Sequence, residues 1–189
     1  MSALAAIFAI KGNTISGSDK QNSAYIDNLK KLGVKVFDEH SNKNILPNID
    51  KVVYSLAISK DNPEIQEARR KKIPIFSYPE MIGELTREYY TIAICGTHGK
   101  TTTTAMTAKI FVENKFDPTV IVGSKLSFLN NNNYRIGKSK ILILEACEYQ
   151  RAFVNYHPNA IVMHNIDPDH FDSFKNFKSY TKAFKKAST

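Results

Sequence analysis

A turn rich in glycine and hydroxyl groups stands directly between an apolar run and a helix-forming run. The apolar run, residues 91–95, has the composition of a buried strand, and the run after the turn, to about residue 113, is rich in Thr, Ala, Met and Ile. A buried strand that turns at once into a helix is the repeating unit of parallel sheets with crossover helices. The feature therefore predicts an α/β fold. The turn consists of Gly96, Thr97, His98, Gly99, Lys100, Thr101 and Thr102.

The same alternation of strand-like and helix-like runs extends along the chain. Strands are predicted at residues 14–16, 34–37, 51–55, 73–76, 91–95, 120–123, 140–145 and 160–165. Helical patterns lie near 25–31, 64–71, 78–88 and 99–113. The restart of the pattern after a helix predicts two domains, residues 1–88 and 91–189, while the polar run 130–133 is predicted to be a turn.

Composition and charge restrict the class of protein only loosely. A chain of 189 residues with 42% apolar residues can bury a core, and most of its net charge of +8 lies after residue 90. A positive surface suits nucleotide phosphates, nucleic acid or simple solvation. Cys95 and Cys147 are too few for a disulfide framework and lack metal-ligand spacing, so we expect two buried thiols in a cytoplasmic protein. The apolar start, residues 1–10, is far shorter than the ~20 residues of a membrane span, so no membrane partner is expected.

The turn at 96–102 has the chemistry of a phosphate-binding loop. In such a loop glycines let backbone N–H groups approach phosphate oxygens, the following helix adds the positive end of its dipole, a lysine reaches the β- and γ-phosphates, and a hydroxyl binds Mg²⁺. The Walker pattern has a further glycine five residues before Gly99, where Ile94 stands here. As a generic phosphate loop the match is incomplete, and a turn without a ligand is the alternative interpretation.

Two further polar groups follow predicted strands. Glu145 closes the strand at 140–145, and His170 follows the strand at 160–165. Ligands of open parallel sheets bind at the carboxyl ends of the strands. We therefore expect Glu145 and His170 near the loop, where a carboxylate and an imidazole bind the metal ions that neutralise a triphosphate. For each residue alone, a solvated strand-end carboxylate and a structural histidine are the alternative interpretations.

Together these motifs resemble the Mur ligases. That family has the shortened loop seen at 96–102, followed by the segments found here at 145–149 and 165–170. The resemblance continues into the first half of the chain through residues 16–19 and 62–65. His98 within the loop is typical of the alanine-adding members and of their murein-tripeptide-recycling relatives, and Cys147 is similar to the alanine-adding members.

The resemblance implies an ATP-dependent amide ligase of peptidoglycan precursor synthesis. Its substrates would be UDP-N-acetylmuramate and L-alanine: the muramyl carboxylate attacks the γ-phosphate of ATP, and the alanine amine then displaces the acyl phosphate. The implied fold is a Rossmann-like UDP-binding domain lacking its first strand, followed by a partial P-loop ATPase domain.

The resemblance also implies roles for single residues at the nucleotide. Lys100 contacts the β- and γ-phosphates, and Thr101 and Glu145 bind Mg²⁺. His170 binds a second Mg²⁺, and the whole of residues 96–102 cradles the nucleotide.

Substrate contacts are implied for four other positions. His98 faces the reacting groups, with a hydrogen bond to the loop backbone as the alternative. Glu148 positions substrate or a neighbouring loop, with a solvated helix start as the alternative. Ser18 and Asp19 follow a strand where a Rossmann-like domain meets a ribose or uridine hydroxyl, with an Asx-turn as an equally weighted alternative.

The ends of the chain depart from the family pattern. The family has a strand and a glycine-rich loop before the position of Met1. Near the other end, Phe174, Phe177, Thr181 and Phe184 predict the apolar side of a helix. We expect the C-terminal amino-acid-binding domain to be absent, and this polypeptide alone not to catalyse alanine addition.

Two other classes of function stay open. A stand-alone phosphate-loop module is favoured if ATP binds tightly and a UDP-sugar has no effect. A nucleic-acid-binding protein is indicated only by the basic run at 175–186, which has no aromatic stacking platform. We therefore expect no nucleic-acid partner.

Overall fold

The computed structural model describes residues 1–21, 23–169 and 173–187. The chain divides into two compact units, Met1–Met81 and Ile82–Thr189. The boundary lies within helix α4 (Tyr78–Arg87). Both units combine helices with parallel strand pairs, so the predicted α/β class is confirmed.

The first unit contains two strand–helix–strand segments. Strand β1 pairs in parallel with β2, and β3 pairs in parallel with β4, giving two two-stranded sheets among the described residues. The first strand lies at 16–18 rather than at the predicted 14–16. The elements are α1 (Ser2–Ile10), β1 (Ser16–Ser18), α2 (Ala24–Lys31), β2 (Lys35–Phe37), β3 (Val52–Tyr54), α3 (Pro63–Arg70) and β4 (Ile75–Ser77).

Local capping explains where two helices begin. Asn62 precedes α3, and its side-chain oxygen accepts a hydrogen bond of 2.9 Å from the Glu64 amide. Before α4, the Ser77 amide donates to the Glu80 carboxylate at 2.6 Å and the Glu80 amide donates to the Ser77 hydroxyl at 3.4 Å. This reciprocal pair is a capping box. The hydrogen bonds from the Ser77 hydroxyl and amide lower the pKa of Glu80.

The second unit is built on one five-stranded sheet in the order β7-β6-β8-β5-β9. Four strands are parallel, and β7 is antiparallel at one edge. Short 3-10 turns lie at Ser127–Leu129 and Tyr149–Asn155. The other elements are β5 (Tyr90–Cys95), α5 (Lys100–Glu113), β6 (Thr119–Leu126), β7 (Asn132–Arg135), β8 (Ile141–Glu145), β9 (Ala160–Met163) and α6 (Phe177–Ala187).

The polar run at 130–133 forms the predicted turn only at its first two residues, so that prediction is wrong at positions 132 and 133. Asn130 and Asn131 both have a φ of 56° and reverse the chain. Residues Asn132–Arg135 then pair with β6 as an edge strand. An edge strand tolerates polar side chains because they keep access to solvent. This strand therefore has no apolar pattern from which it could be predicted.

The core of the second unit positions the loop at 96–102. Ile94 on β5 and Ile143 on β8 are fully buried and pack with Ala108 of α5. Because β5 and β8 are parallel neighbours, with Ile94 opposite Glu145, their carboxyl ends adjoin. The loop and Glu145 therefore leave the sheet side by side.

The predicted C-terminal helix is present, but its predicted apolar side is wrong at Phe177, which is 43% exposed. Phe184 and, ahead of the helix, Phe174 are buried as predicted, and Tyr180, four positions before Phe184, is buried with them. Their rings meet edge-on, and Phe184 also contacts Phe153. The helix packs against the turn at 149–155.

The helices that the structure describes are all too short or too polar to cross a membrane.

Candidate functional site

The loop at 96–102, here called the phosphate loop, leaves β5 and enters α5 through two glycines in the left-handed region. Gly96 has a φ of 138° and Gly99 a φ of 79°. The Thr103 amide makes the first helical hydrogen bond, to the Gly99 carbonyl. The amides of residues 99–102 therefore have no acceptor within the helix, and they point toward its N-terminal end. This is the arrangement in which helices bind anions.

Two amides of the same loop already donate within the protein. The Thr97 amide donates to the Asn165 carbonyl at 3.0 Å, and the His98 amide donates to the Asn165 side-chain oxygen at 2.8 Å. That residues 96–102 cradle the nucleotide stays a prediction, and in this conformation the Thr97 and His98 amides are bonded to Asn165. The amides of residues 99–102 take part in neither of these bonds, so an anion can bind them without breaking either one.

Lys100 has a complete set of internal acceptors. Its ammonium group donates to the carbonyls of Gly96 at 2.7 Å and Thr97 at 2.9 Å, and to the Glu148 carboxylate at 3.0 Å. A lysine ammonium has three N–H donors, so all three are used in this conformation. Lys100 must exchange at least one of these bonds to contact a phosphate oxygen.

Glu148 is fully buried and forms an ion pair with Lys100. The positioning of substrate by Glu148 stays a prediction; in this conformation its side chain contacts Lys100 and does not reach the surface. Burial, followed by the nearby Glu148 charge, raises the pKa of the Cys95 thiol to about 11. Cys95 is a buried, protonated thiol as expected, whereas Cys147, also expected to be buried, is exposed.

Thr101 and Glu145, both predicted to bind Mg²⁺, lie in direct contact. The Thr101 hydroxyl donates to one Glu145 carboxylate oxygen at 2.8 Å, and the Gly123 amide donates to the other at 2.6 Å. Within residues 1–21, 23–169 and 173–187, no group of three or more His, Cys, Asp and Glu side chains is arranged to bind a metal. Mg²⁺ commonly binds one or two protein oxygens together with phosphates and water, and this hydroxyl–carboxylate pair suits that mode. His170 lies outside the described residues.

Three residues near the loop were missed in the sequence analysis. Asn165 holds the loop backbone, His164 lies 2.5 Å from the Thr103 hydroxyl, and Tyr180 contacts Thr97. His164 and Asn165 could have been found from their position directly after β9, the strand beside β5. For Tyr180 the signal was its i, i+4 spacing from Phe184.

Gly96 is expected to be intolerant of a side chain. An added Cβ would lie 2.9 Å from the His164 Cβ and 3.2 Å from the Asn165 backbone, at a φ that side chains rarely adopt. We expect Gly96→Ala to lower the free energy of unfolding by about 1–3 kcal/mol. Urea denaturation would measure this, with Gly17→Ala as the control, because nothing lies within 4 Å of an added Cβ there. Equal midpoints for the two variants would contradict the expectation.

In the first unit, Ser18 belongs to a hydrogen-bonded cluster. Its hydroxyl donates to the Glu64 carboxylate at 2.7 Å and lies 2.8 Å from the His40 Nδ1 atom. Because its one hydrogen goes to Glu64, it accepts from the His40 ring. Asn44 donates to the other Glu64 oxygen at 2.6 Å.

Asp19 forms the Asx-turn that was the alternative to a contact with the ribose or uridine hydroxyl. Its carboxylate accepts a hydrogen bond of 2.9 Å from the Gln21 amide, which is an Asx-turn. A cavity of about 430 Å³ lies nearby, lined by residues that include Lys20, His40 and Asn62.

The two halves of the chain match two sequence profiles of one family. Residues 1–90 match "Mur ligase family, catalytic domain", and residues 94–187 match "Mur ligase middle domain". The chain belongs to the Mur ligase family. This Mur ligase chain therefore carries the resemblance predicted from its motifs, and that prediction is confirmed.

Several relatives of this Mur ligase chain have specific names. The UDP-N-acetylmuramate–L-alanine ligases of Clostridium acetobutylicum and Clostridium beijerinckii are 44% and 41% identical to it, over 98% and 97% of its length. The match covers 40% of each of these enzymes, so the chain spans about two fifths of their length.

Solved structures agree with this assignment of family and fold. The UDP-N-acetylmuramate-alanine ligase MurC of Thermotoga maritima matches with a TM-score of 0.91 and 34% identity, over 100% of this chain and 44% of that one. The UDP-N-acetylmuramate:L-alanyl-gamma-D-glutamyl-meso-diaminopimelate ligase of Neisseria meningitides matches over 99% of this chain and 63% of that one, with a TM-score of 0.88 and 24% identity. The second match shows the shared fold.

Proposed function

We propose that this chain supplies the UDP-N-acetylmuramate site and the ATP phosphate site of a cytoplasmic ligase that joins L-alanine to UDP-N-acetylmuramate. The observation that carries the proposal is the contact of Thr101 with Glu145 beside Lys100, at the carboxyl edge of the sheet. Relatives at 41–44% identity named for this reaction support the choice of substrates. Residues 1–88 form the UDP-sugar domain, and residues 91–189 belong to the ATP-binding domain.

At the nucleotide, the work of the protein is alignment and charge neutralisation, which is what phosphoryl transfer needs most. The amides of residues 99–102 bind phosphate oxygens, and Lys100 exchanges one internal bond for a bond to the β- or γ-phosphate. Thr101 and Glu145 would hold Mg²⁺, and His170 would hold a second ion, as the family resemblance implies. Bound Mg²⁺ neutralises the negative charge of the triphosphate.

The reaction joins two substrates through an acyl phosphate. The muramyl carboxylate attacks the γ-phosphorus, ADP leaves, and the alanine amine displaces inorganic phosphate to form the amide. The His98 side chain is exposed on the loop, so it can face the reacting groups while its backbone amide stays bonded to Asn165. Water must be kept from the acyl phosphate, because hydrolysis would waste the activated carboxylate.

The first unit offers a site for the UDP-sugar. Lys20 and His40 line its cavity and give it a cation and an imidazole suited to phosphate and hydroxyl groups. Ser18 is the proposed contact residue, since its hydroxyl is already oriented by Glu64 and His40. The Asx-turn at Asp19 favours a structural role for that residue.

Two calorimetric titrations of the chain test the proposal. Mg-ATP and UDP-N-acetylmuramate should each bind, and Ser18→Ala should weaken only the second ligand. Binding of ATP without any binding of the UDP-sugar would favour the stand-alone nucleotide-binding module. Binding of duplex DNA with a steep dependence on salt, in place of both ligands, would favour the nucleic-acid alternative.

The alternative of a murein-tripeptide-recycling ligase differs only in the amine that is joined. The solved structure of such a ligase is 24% identical in sequence to this chain, and this degree of similarity supports a shared fold but not a shared substrate. The relatives above 40% identity favour L-alanine.

A further inference from the structure

The buried hydroxyl of Thr97 links the phosphate loop to two other segments of the chain by hydrogen bonds. Its hydroxyl accepts a hydrogen bond from the Asp167 amide at 2.9 Å, donates to the Asp167 carbonyl at 3.1 Å, and lies 2.8 Å from the Tyr180 hydroxyl. A hydroxyl has one hydrogen and two lone pairs. Because the Thr97 hydrogen goes to a carbonyl, which can only accept, Tyr180 must be the donor in the third bond.

Tyr180 is held in place by its ring. The side chain is 1% exposed, and its ring packs edge-on against Phe174 and Phe184 at centroid distances of 4.9 and 5.0 Å. Burial raises the pKa of the phenol, so the hydroxyl keeps its hydrogen at neutral pH and remains a donor. The position of the donor is therefore set by the packing of helix α6.

The position of Thr97 in turn affects the groups of the loop that face the nucleotide. Its carbonyl accepts one of the three bonds of the Lys100 ammonium group, and its amide is bonded to Asn165. A shift of the Thr97 backbone would therefore move an acceptor of Lys100 and the amides that follow in the loop.

We infer that Tyr180 is a positioning residue of the nucleotide site: its hydroxyl holds Thr97 and thereby fixes the backbone of the phosphate loop. Helix α6, which follows the loop by about 80 positions, is thus part of what shapes the site. The inference rests on the proposed function in one respect, namely that this loop binds ATP.

Tyr180→Phe is the decisive variant, because it removes one oxygen atom and keeps the ring that packs against Phe174 and Phe184. We expect Mg-ATP to bind about fivefold more weakly, the loss that one neutral hydrogen bond gives. We also expect the amide hydrogens of Thr97 and His98 to exchange faster in the nucleotide-free protein. Tyr134→Phe is the matched control, since Tyr134 lies on β7, at the opposite edge of the sheet from β9.

A double-mutant cycle separates this connection from general weakening. Thr97→Val and Tyr180→Phe should each weaken Mg-ATP binding, and the double variant should bind no more weakly than Thr97→Val alone. Thr97→Ser keeps the hydroxyl and should bind Mg-ATP more tightly than Thr97→Val.

Each outcome of these measurements decides a separate question. Wild-type affinity together with wild-type amide exchange at Thr97 and His98 in Tyr180→Phe would overturn the inference. Exchange that rises equally in the core strand β8 would overturn it as well, because the role would then be general stability. If the wild-type chain does not bind Mg-ATP, the proposed function fails, and amide exchange in the nucleotide-free protein still decides whether Tyr180 holds the loop.

Discussion

Replacing Lys100 by alanine should weaken the binding of Mg-ATP by about 100-fold, the loss expected for a charge-assisted hydrogen bond to phosphate. The ammonium group of Lys100 stands at the opening of the phosphate loop, and its bonds to the Gly96 and Thr97 carbonyls keep it there. Calorimetric titration of the folded variant measures the effect. Lys100→Arg keeps the charge but not the compact shape of the ammonium group, so its affinity for Mg-ATP should lie between those of the wild type and Lys100→Ala.

The same change should also destabilise the protein, and the two effects must be separated. Glu148 is fully buried, so Lys100→Ala leaves its carboxylate without the ion pair and costs about 3 kcal/mol of the free energy of unfolding. The double variant Lys100→Met, Glu148→Gln removes both charges and should recover much of this stability without recovering ATP affinity. Wild-type affinity in either folded variant would show that Lys100 does not contact the phosphates.

Replacing Glu145 by glutamine should remove most of the dependence of ATP binding on Mg²⁺. The carboxylate lies 2.8 Å from the Thr101 hydroxyl, and a neutral amide is a much weaker Mg²⁺ ligand of nearly the same shape. We expect Mg²⁺ to strengthen ATP binding about tenfold less in Glu145→Gln than in the wild type. Titrations in Mg²⁺ and in EDTA measure the ratio directly.

A control for this experiment is present on helix α5. Glu113→Gln changes the net charge by the same amount, but Glu113 is an exposed residue that pairs with Lys109. Its Mg²⁺ dependence should match the wild type. If Glu145→Gln and Glu113→Gln respond alike to Mg²⁺, Glu145 is not a metal ligand.

Much of the site could be predicted because it depends on local sequence and strand order. The loop at 96–102 lies between a strand and a helix as its residues predict, since glycines adopt the two left-handed positions and the helix begins at Lys100. Thr101 and Glu145 meet because β5 and β8 are parallel neighbours whose carboxyl ends adjoin. The strand at 132–135 could not be found in this way, because a polar edge strand has no apolar pattern.

The sequence by itself determined the class of fold, the membership of the Mur ligase family and the residues that can bind a phosphate. Only the tertiary structure decided which of these groups are already engaged. Asn165 accepts hydrogen bonds from the Thr97 and His98 amides, and Glu148 accepts one from the Lys100 ammonium group. The Tyr180 hydroxyl is bonded to the Thr97 hydroxyl. Each of these bonds joins residues about 50 to 80 positions apart. A local pattern shows which donors and acceptors a segment has, whereas their partners depend on which segments the packed core brings within 3 Å.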